Sequence, residues 1–370
     1  MALATLKLHL VLMFLRCATS TRTFVPPIRR ADSTVPPLRT ASRRLFSSLT
    51  STDTSKDYKV ASTDWAWNAL LISSFSQGIV GSKSVQRLLK QVLLSAWAAN
   101  NNQDNNNNKD NSDETHLRVV YIPTALYAPR LDSDTSPGKQ RQRAKADGRK
   151  RRTIITNLLQ QLLQEDSENH TQQKPSKPIQ ILAISLDLDD GSIQHPEGSS
   201  DTTHFPTPNT CISQWNPHLI YVEGGNTFWL HHCIQKGAWK DSLKHIITTP
   251  NTVYIGTSAG AILAGATVSP ATWKQWDDPT VVPGMEHYED WHSGIPGWNV
   301  AGGASFFPHM TPEWEPVVAT RRETMTMNVH CLADDDVCWI NGTQRNLTIL
   351  RGNKIGGESD EVTRSPGNNW

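Results

Sequence analysis

The chain has 370 residues, with 36 Lys and Arg against 35 Asp and Glu, a net charge of +1 and a hydrophobic share of 37%. That length suffices for one large domain or two medium ones, and the near-neutral balance excludes a global basic field for nucleic acid or an acidic solvating tail. The mean hydropathy of −0.47 is low for a compact globule, so an ordinary domain diluted by polar segments is expected. No run of 18 apolar residues occurs, so no spanning helix is expected. Five cysteines (17, 211, 233, 331 and 338) form no CxxC pair and no zinc spacing with His, which supports neither a disulfide scaffold nor a metal site.

The first 31 residues hold no acid. Lys7 precedes an apolar stretch from Leu8 to Leu15, and Ala18 and Ser20 follow at the spacing of a signal-peptidase site. Residues 18–56 carry seven basic residues, two acids (Asp32, Asp53) and fifteen Ser or Thr, the composition of a transit peptide. Phe24, soon after the cleavage point, fits a signal-plus-transit arrangement, while Arg43-Arg44-Leu45-Phe46 suits a mitochondrial presequence equally well. Residues 1–57 are therefore expected to be an organelle-targeting segment, for plastid or mitochondrion, or else a disordered tail with no address, which would leave the chain in the cytoplasm. The sequons at Asn169, Asn341 and Asn346 come into use only if the chain passes through the endoplasmic reticulum.

From there, short apolar runs alternate with helical patterns. Asn68 to Ser73 predicts a strand, and Ser82 to Trp97 an amphipathic helix with Ser82 as its N-cap. Asn100 to Asp113 is low-complexity Asn and Asp, part of an expected insertion over 99–115. Leu117 to Pro123 is the second strand. The stretch Lys139 to Arg152, within an insertion placed at 130–150, carries eight basic residues and one acid, Asp147. It reads as the solvated first turns of a helix continued by Ile154, Ile155, Leu158, Leu159, Leu162 and Leu163, because no aromatic stacking residues accompany it as an RNA patch requires. Ile179 to Ser185 is the third strand, and Asp187 to Asn209 reads as a loop within an insertion at 187–212. Leu219 to Glu223 is the fourth strand, followed by a helix from Phe228 to Lys236. Val253 to Gly256 is the fifth, followed by a helix from Ala259 to Ala266. The segments 329–332, 337–340 and 346–350 look like a terminal antiparallel meander, and 358–370 like a disordered tail. Continuously apolar strands are buried on both faces, so the expectation is an α/β domain over 58–357 with a mostly parallel sheet between helices.

Gly256-Thr257-Ser258-Ala259-Gly260 is a G-x-S-x-G between a strand and a helix, the context a nucleophile elbow needs. Its glycines allow a sharp turn that projects the Ser258 hydroxyl at the strand end, with the Ala259 amide aimed where an oxyanion develops. Glu223-Gly224-Gly225-Asn226-Thr227 also ends a strand, one βα unit earlier, where a glycine amide can serve as the second oxyanion donor. A serine needs a base. His309 follows the apolar run Ser305 to Pro308 and so sits at a strand end; His287 and His292, in a Trp- and acid-rich loop, and His330, within a strand pattern, compete with it.

These motifs, Tyr221 to Phe228, Tyr254 to Ala261 and Phe307 to Met310, resemble the serine peptidase family of aspartyl dipeptidase (dipeptidase E) and cyanophycinase. The resemblance extends loosely over residues 66–355. It implies a three-layer α/β sandwich like the class I glutamine amidotransferases, with a small C-terminal antiparallel extension and serine in the place of their cysteine. It also implies Ser258 as nucleophile, His309 as general base, the Gly225 and Ala259 amides as oxyanion hole, and Asn226 and Thr227 as substrate-binding residues. Two positions match for the triad acid. Asp278, or its neighbour Asp277, resembles the family's acid between nucleophile and His, whereas Asp334 in Cys331 to Asp336 resembles the acid after a late strand. The sequence does not decide between them; Asp334 is favoured as the group orienting the imidazole, with Asp278 at the substrate ammonium or a loop cap. Thr257 matches cyanophycinase better, whereas Asn226-Thr227-Phe228 matches dipeptidase E better. The expectation is a serine exopeptidase acting on short peptides, foremost dipeptides with N-terminal aspartate. The alternatives are cleavage of β-aspartyl-arginine polymer, favoured by Glu286, Glu289 and Asp290, or a catalytically inactive binding module. No metal, cofactor, nucleic-acid or membrane partner is implied, and a homodimer is left open.

Overall fold

The computed structural model describes residues 64–104, 116–130, 133–164, 178–195, 212, 214–284, 295–325, 327–352 and 363–364. Residues 1–57, expected to serve in targeting, Cys17, Cys211, His287, His292 and the acids Glu286, Glu289 and Asp290 lie outside the described residues. In chain order the elements are β1 (Asn68–Ile72), α1 (Lys83–Asp104), β2 (His116–Ile122), α2 (Pro137–Gln164), β3 (Gln180–Asp187), β4 (Ser192–Gln194) and β5 (Leu219–Val222). Then follow α3 (Thr227–Lys236), α4 (Trp239–Ile247), β6 (Val253–Thr257), α5 (Ala259–Ala264), β7 (Ser305–Phe307), α6 (Glu315–Glu323), β8 (Val329–Cys331), β9 (Val337–Asn341), β10 (Asn346–Leu350) and β11 (Thr363–Arg364).

Among the described residues nine strands form one sheet in the order β11-β10-β9-β1-β6-β5-β2-β3-β4. The five strands from β1 to β3 in that order pair in parallel, β4 closes one edge antiparallel, and β9, β10 and β11 extend the other edge antiparallel. Although these strands read as unbroken apolar runs, their side chains alternate between two separate cores. On one face Leu70, Ile72, Val119, Tyr121, Leu219, Tyr221 and Ile255 meet Val85, Leu89 and Leu93 of α1 and Ile155 and Leu159 of α2. On the other, Ala69, Leu71, Val120, Ile122, Ile220, Val222 and Tyr254 meet Phe228, Leu230 and Ile234 of α3, Trp239 and Leu243 of α4 and Leu263 of α5. Strand geometry points successive side chains to opposite faces, so only a strand apolar at every position can be covered by helices on both sides. The result is the expected α/β three-layer sandwich. Among the described residues no helix is long and apolar enough to cross a membrane.

Several boundaries differ from the sequence reading. The basic stretch is helical from Pro137, but it is pinned rather than merely solvated: buried Arg152 donates to Ser185 Oγ (2.9 Å) and to the Gln194 carbonyl (2.7 Å). Arg141 pairs with Asp189 (2.6 Å) and Asp190 (2.7 Å), and Lys145 with Asp187 (2.9 Å). Those pairs order the start of the supposed loop, where Asp187 to Gln194 turn back as the β3–β4 hairpin. Residues 99–104 continue α1, and Thr363–Arg364 of the tail pair with β10. The segment 329–331 leaves the expected meander: β8 pairs in parallel with β7 in a second, two-stranded sheet. Helices α4 and α6 were not foreseen.

His218, wholly buried at the start of β5, accepts a hydrogen bond at Nδ1 from the Arg118 amide (2.9 Å). Burial, helped by the nearby Arg118 charge, pulls its pKa down to about 3. A histidine whose folded pKa is depressed binds fewer protons in the native than in the unfolded state. Its contribution is therefore present above the ordinary value near 6.5 and lost as the pH falls from there toward 3. Urea titrations at pH 7, 5 and 4 are expected to show falling stability, with a shallower fall in His218→Gln.

Candidate active site

The strands that carry the site end level with one another. Ile72 of β1 faces Thr257 of β6, Val222 of β5 faces Gly256, and Ile122 of β2 faces Val222. The loops after β1, β5 and β6 therefore emerge side by side, the usual place for a site in a parallel sheet.

Ser258 follows β6 directly and adopts φ 48° and ψ −102°, outside the regions an L-residue prefers. Such a conformation costs of order 1–3 kcal/mol and persists only where the surroundings dictate it. Here its amide donates to the Ile72 carbonyl (2.8 Å), and its carbonyl accepts from Ile262 (3.0 Å) in the six-residue helix α5. Gly256 lets the chain pass under that turn: a Cβ there would lie 2.6 Å from the Gly260 carbonyl oxygen. Below the elbow, Thr257 Oγ1 donates to Tyr221 Oη (2.9 Å) and Tyr121 Oη donates to the buried Glu223 carboxylate (2.7 Å).

The loop after β5 lies against the serine. A Cβ on Gly224 would sit 3.1 Å from Ser258 Cβ, and one on Gly225, whose φ is +142°, 2.3 Å from the Ala125 carbonyl oxygen. Gly225 is thus required by close approach and by conformation, whereas Gly224 leaves only a tight fit for a side chain. Ala259 is the first residue of α5.

His309 and Asp334 come from the small sheet. Phe307 of β7 is paired with Cys331 of β8; His309 lies two residues beyond the first and Asp334 three beyond the second. Leu332 donates to the Phe307 carbonyl (3.0 Å) and Met310 to the Leu332 carbonyl (2.8 Å), continuing the pairing past the strand ends. In consequence His309 Nε2 lies 3.0 Å from Ser258 Oγ, and Nδ1 lies 2.6 Å from Asp334 Oδ1. The hydrogen bond from His309 is the main cause that lowers the pKa of the Asp334 carboxyl. A carboxylate only accepts, so Nδ1 carries the proton, and Nε2 presents its lone pair to the hydroxyl. A hydroxyl, an imidazole and a carboxylate in this chain can pass a proton from serine to histidine while the carboxylate stabilises the imidazolium.

Other expected site residues are placed elsewhere. Asp278 does not reach the imidazole; its carboxylate accepts from Thr280 N (2.9 Å) and Thr280 Oγ1 (2.6 Å), capping a turn. Asn226 and Thr227, expected to bind substrate, are engaged in structure. Asn226 Oδ1 caps α3 by accepting from Trp229 N (2.8 Å), and its Nδ2 donates to the Asp278 carbonyl (3.0 Å). Thr227 is fully buried, and its amide donates to Asp277 (3.0 Å), whose carboxyl is pushed up by burial. His330 packs on Phe306 with ring centroids 6.0 Å apart. Three residues passed over in the sequence touch the site. Ser73, at the end of β1, accepts from the His309 amide (2.8 Å). Lys274 donates to the Pro308 carbonyl (2.9 Å) and to that of His309, and exposed Trp276 lies 5.9 Å from the His309 ring. Their position was unreadable because each is far in sequence from the motif it supports.

The one acidic cluster among the described residues with carboxylates close enough for a metal is Asp187, Asp189 and Asp190. Arg141 and Lys145 already pair with those carboxylates.

A strained serine on a strand–helix turn, joined to a histidine and a carboxylate, defines a serine hydrolase. The model of peptidase family S51 matches residues 203–347, the stretch that holds Ser258, His309 and Asp334. Over that stretch the chain is similar to peptidase family S51, the family its motifs resemble, and the match supports a serine-type peptidase. No curated protein sequence matches it. Among solved structures it is similar to a protein assigned as a peptidase E from Listeria monocytogenes EGD-e, with 15% identity and a TM-score of 0.41 over 77% of this chain and 98% of that one. It is also similar to a peptidase from an acI-B1 Actinobacterium, with 13% identity and a TM-score of 0.39 over 83% and 96% of the two chains.

Because Gly225 combines φ +142° with a backbone contact of 2.3 Å to any added Cβ, Gly225→Ala is expected to displace the loop. Loss of stability by about 1–3 kcal/mol in urea unfolding, together with loss of peptidase activity, is the expected outcome.

Proposed function

We propose that the protein is an exopeptidase of family S51 that hydrolyses short peptides, foremost dipeptides with N-terminal aspartate, through an acyl-enzyme on Ser258. The observation that carries this reading is the unbroken hydrogen-bonded chain from Ser258 Oγ through the His309 imidazole to Asp334. His309 Nε2 takes the hydroxyl proton as Ser258 Oγ attacks the scissile carbonyl. The Gly225 and Ala259 amides receive the developing oxyanion, the two loops leaving little room for any added side chain between them. His309 then gives its proton to the leaving amine, and water, deprotonated by the same nitrogen, releases the acyl group. Asp334 keeps the proton on Nδ1 and stabilises the imidazolium. The specificity for aspartate follows from the resemblance of the motifs to dipeptidase E, and organelle import from the composition of residues 1–57.

Release assays with the full chain on Asp-X dipeptides, X-Asp controls and β-Asp-Arg test this. Turnover of Asp-X alone is expected. Ser258→Ala should lower kcat by on the order of 10⁶ and Asp334→Asn by on the order of 10⁴, with KM little changed. Asp278→Asn, whose carboxylate only caps a turn, should stay within about twofold of wild type. Cleavage of β-Asp-Arg instead would replace the substrate reading with the polymer one, and no turnover by the folded chain would sink both.

A further inference from the structure

We propose that Lys274 is a positioning residue whose ammonium, wedged among three aromatic rings, clamps the backbone of left-handed His309 and so holds the imidazole on Ser258. The inference rests on the reading of Ser258 and His309 as nucleophile and base. His309 has φ 55°, in a region that only a few per cent of non-glycine residues occupy. It is held there from both sides. Its amide donates to Ser73 Oγ (2.8 Å), which itself donates to the Leu332 carbonyl (3.0 Å). On the other side, Lys274 Nζ donates to the carbonyls of both Pro308 (2.9 Å) and His309.

The surroundings of this ammonium are unusual for a plain structural contact. Lys274 is 9% exposed, and among the described residues no carboxylate forms an ion pair with it. Its Nζ lies 4.3 Å from the ring centroid of Trp276, 4.5 Å from that of Phe307 and 5.3 Å from that of Trp314. Burying an ammonium without a paired anion is costly, and aromatic faces recover part of that cost. An apolar side chain would fill the same box without the penalty but could not bind the two carbonyls. Trp276, stacked by Lys274, in turn flanks the His309 ring with centroids 5.9 Å apart, so the ammonium fixes both the backbone and one neighbour of the imidazole.

This placement couples the site to pH. The ionisable groups facing Lys274 are Asp334 beyond β8, Cys331 in β8 and Glu313 ahead of α6; each favours the charged ammonium, yet burial outweighs them and brings its pKa down to about 8. Above that value the ammonium loses its proton, the aromatic box loses its cation, and the clamp on the carbonyls weakens. An arginine in its place stays charged throughout the accessible range.

The test uses a fluorophosphonate, which Ser258 Oγ attacks at phosphorus with loss of fluoride and transfer of the hydroxyl proton to His309. For the wild-type full chain, kinact is expected to fall along an alkaline limb centred near pH 8, the value of the Lys274 ammonium. Lys274→Arg is expected to move that limb upward by at least about one pH unit, because guanidinium does not titrate there. Lys274→Met should react about 30- to 100-fold more slowly at pH 7 with unchanged reversible affinity for the reagent, the signature of a misplaced base. An alkaline limb that stays in place in Lys274→Arg, or a Lys274→Met protein that reacts like wild type, would overturn the proposal. The Cε1–H resonance of His309, identified by its loss in His309→Gln, gives a readout independent of turnover. It should shift near pH 8 in the wild type and not in Lys274→Arg; a shift common to both would equally overturn the clamp. Wild-type protein that does not react with the reagent at all would instead overturn the serine-nucleophile reading, leaving the resonance to judge Lys274.

Discussion

The register of parallel strand pairs is the constraint on which the site depends. β1, β5 and β6 end level, so the turn after β6 has the Ile72 carbonyl on one side and the Gly224-Gly225 loop on the other. The amide of Ser258 donates to that carbonyl, and this contact helps to maintain a backbone conformation the residue would not adopt alone. A slip of one residue in either pairing would turn every core side chain to the wrong face and separate the serine from its neighbours. Burial of both faces of the sheet, by α1 and α2 on one side and α3, α4 and α5 on the other, is what makes such a slip prohibitive.

His309 and Asp334 depend on a second register of the same kind. β7 and β8 are only three residues each, but they pair in parallel and the backbone pairing continues through Leu332 and Met310. That places Asp334 against Nδ1 while Nε2 meets the serine. The small sheet has its own apolar support, with Trp273, Phe307, Val318 and Val329 packed together, so the imidazole is delivered by a rigid element rather than a free loop. Both Ser258 and His309 have positive φ. Two residues in sparsely populated conformations, meeting at one hydrogen bond, show how much of the surrounding structure is devoted to their placement.

The basic first half of α2 illustrates how charge acts in this protein. Its arginines and lysines do not make a uniform field. Arg141 and Lys145 neutralise the acids at the β3–β4 turn, Arg152 ties the buried strand to the hairpin, and Arg151 reaches within 3.5 Å of Glu223 beneath the glycine loop. Part of a run that looks like a solvated or nucleic-acid-binding face is therefore spent on internal partners, while Lys139, Arg143, Arg149 and Lys150 stay exposed.

Much of this was legible in the chain itself. Unbroken apolar runs such as Leu219 to Val222 and Val253 to Ile255, each followed by a helical pattern, determine a parallel sheet covered on both faces, since no other arrangement buries every side chain. The spacing of Gly256, Ser258 and Gly260 between a strand and a helix determines the elbow, because only a turn of that shape uses both glycines. Local pattern could not choose between Asp278 and Asp334, for a carboxylate's partner is a matter of distance and both lie tens of residues from His309 in sequence. The pairing of β8 with β7 brings Asp334, not Asp278, to His309, and that pairing rests on backbone hydrogen bonds with no side-chain signature. The same holds for Asn226, whose side chain caps a helix, for Thr227, whose backbone amide donates to Asp277, and for Ser73 and Lys274, which meet His309 only after the sheets are assembled. Periodicity and turn chemistry are properties of neighbours along the chain, and they determine elements and the elbow; contacts between residues far apart in sequence arise from packing, and the tertiary structure alone decides them.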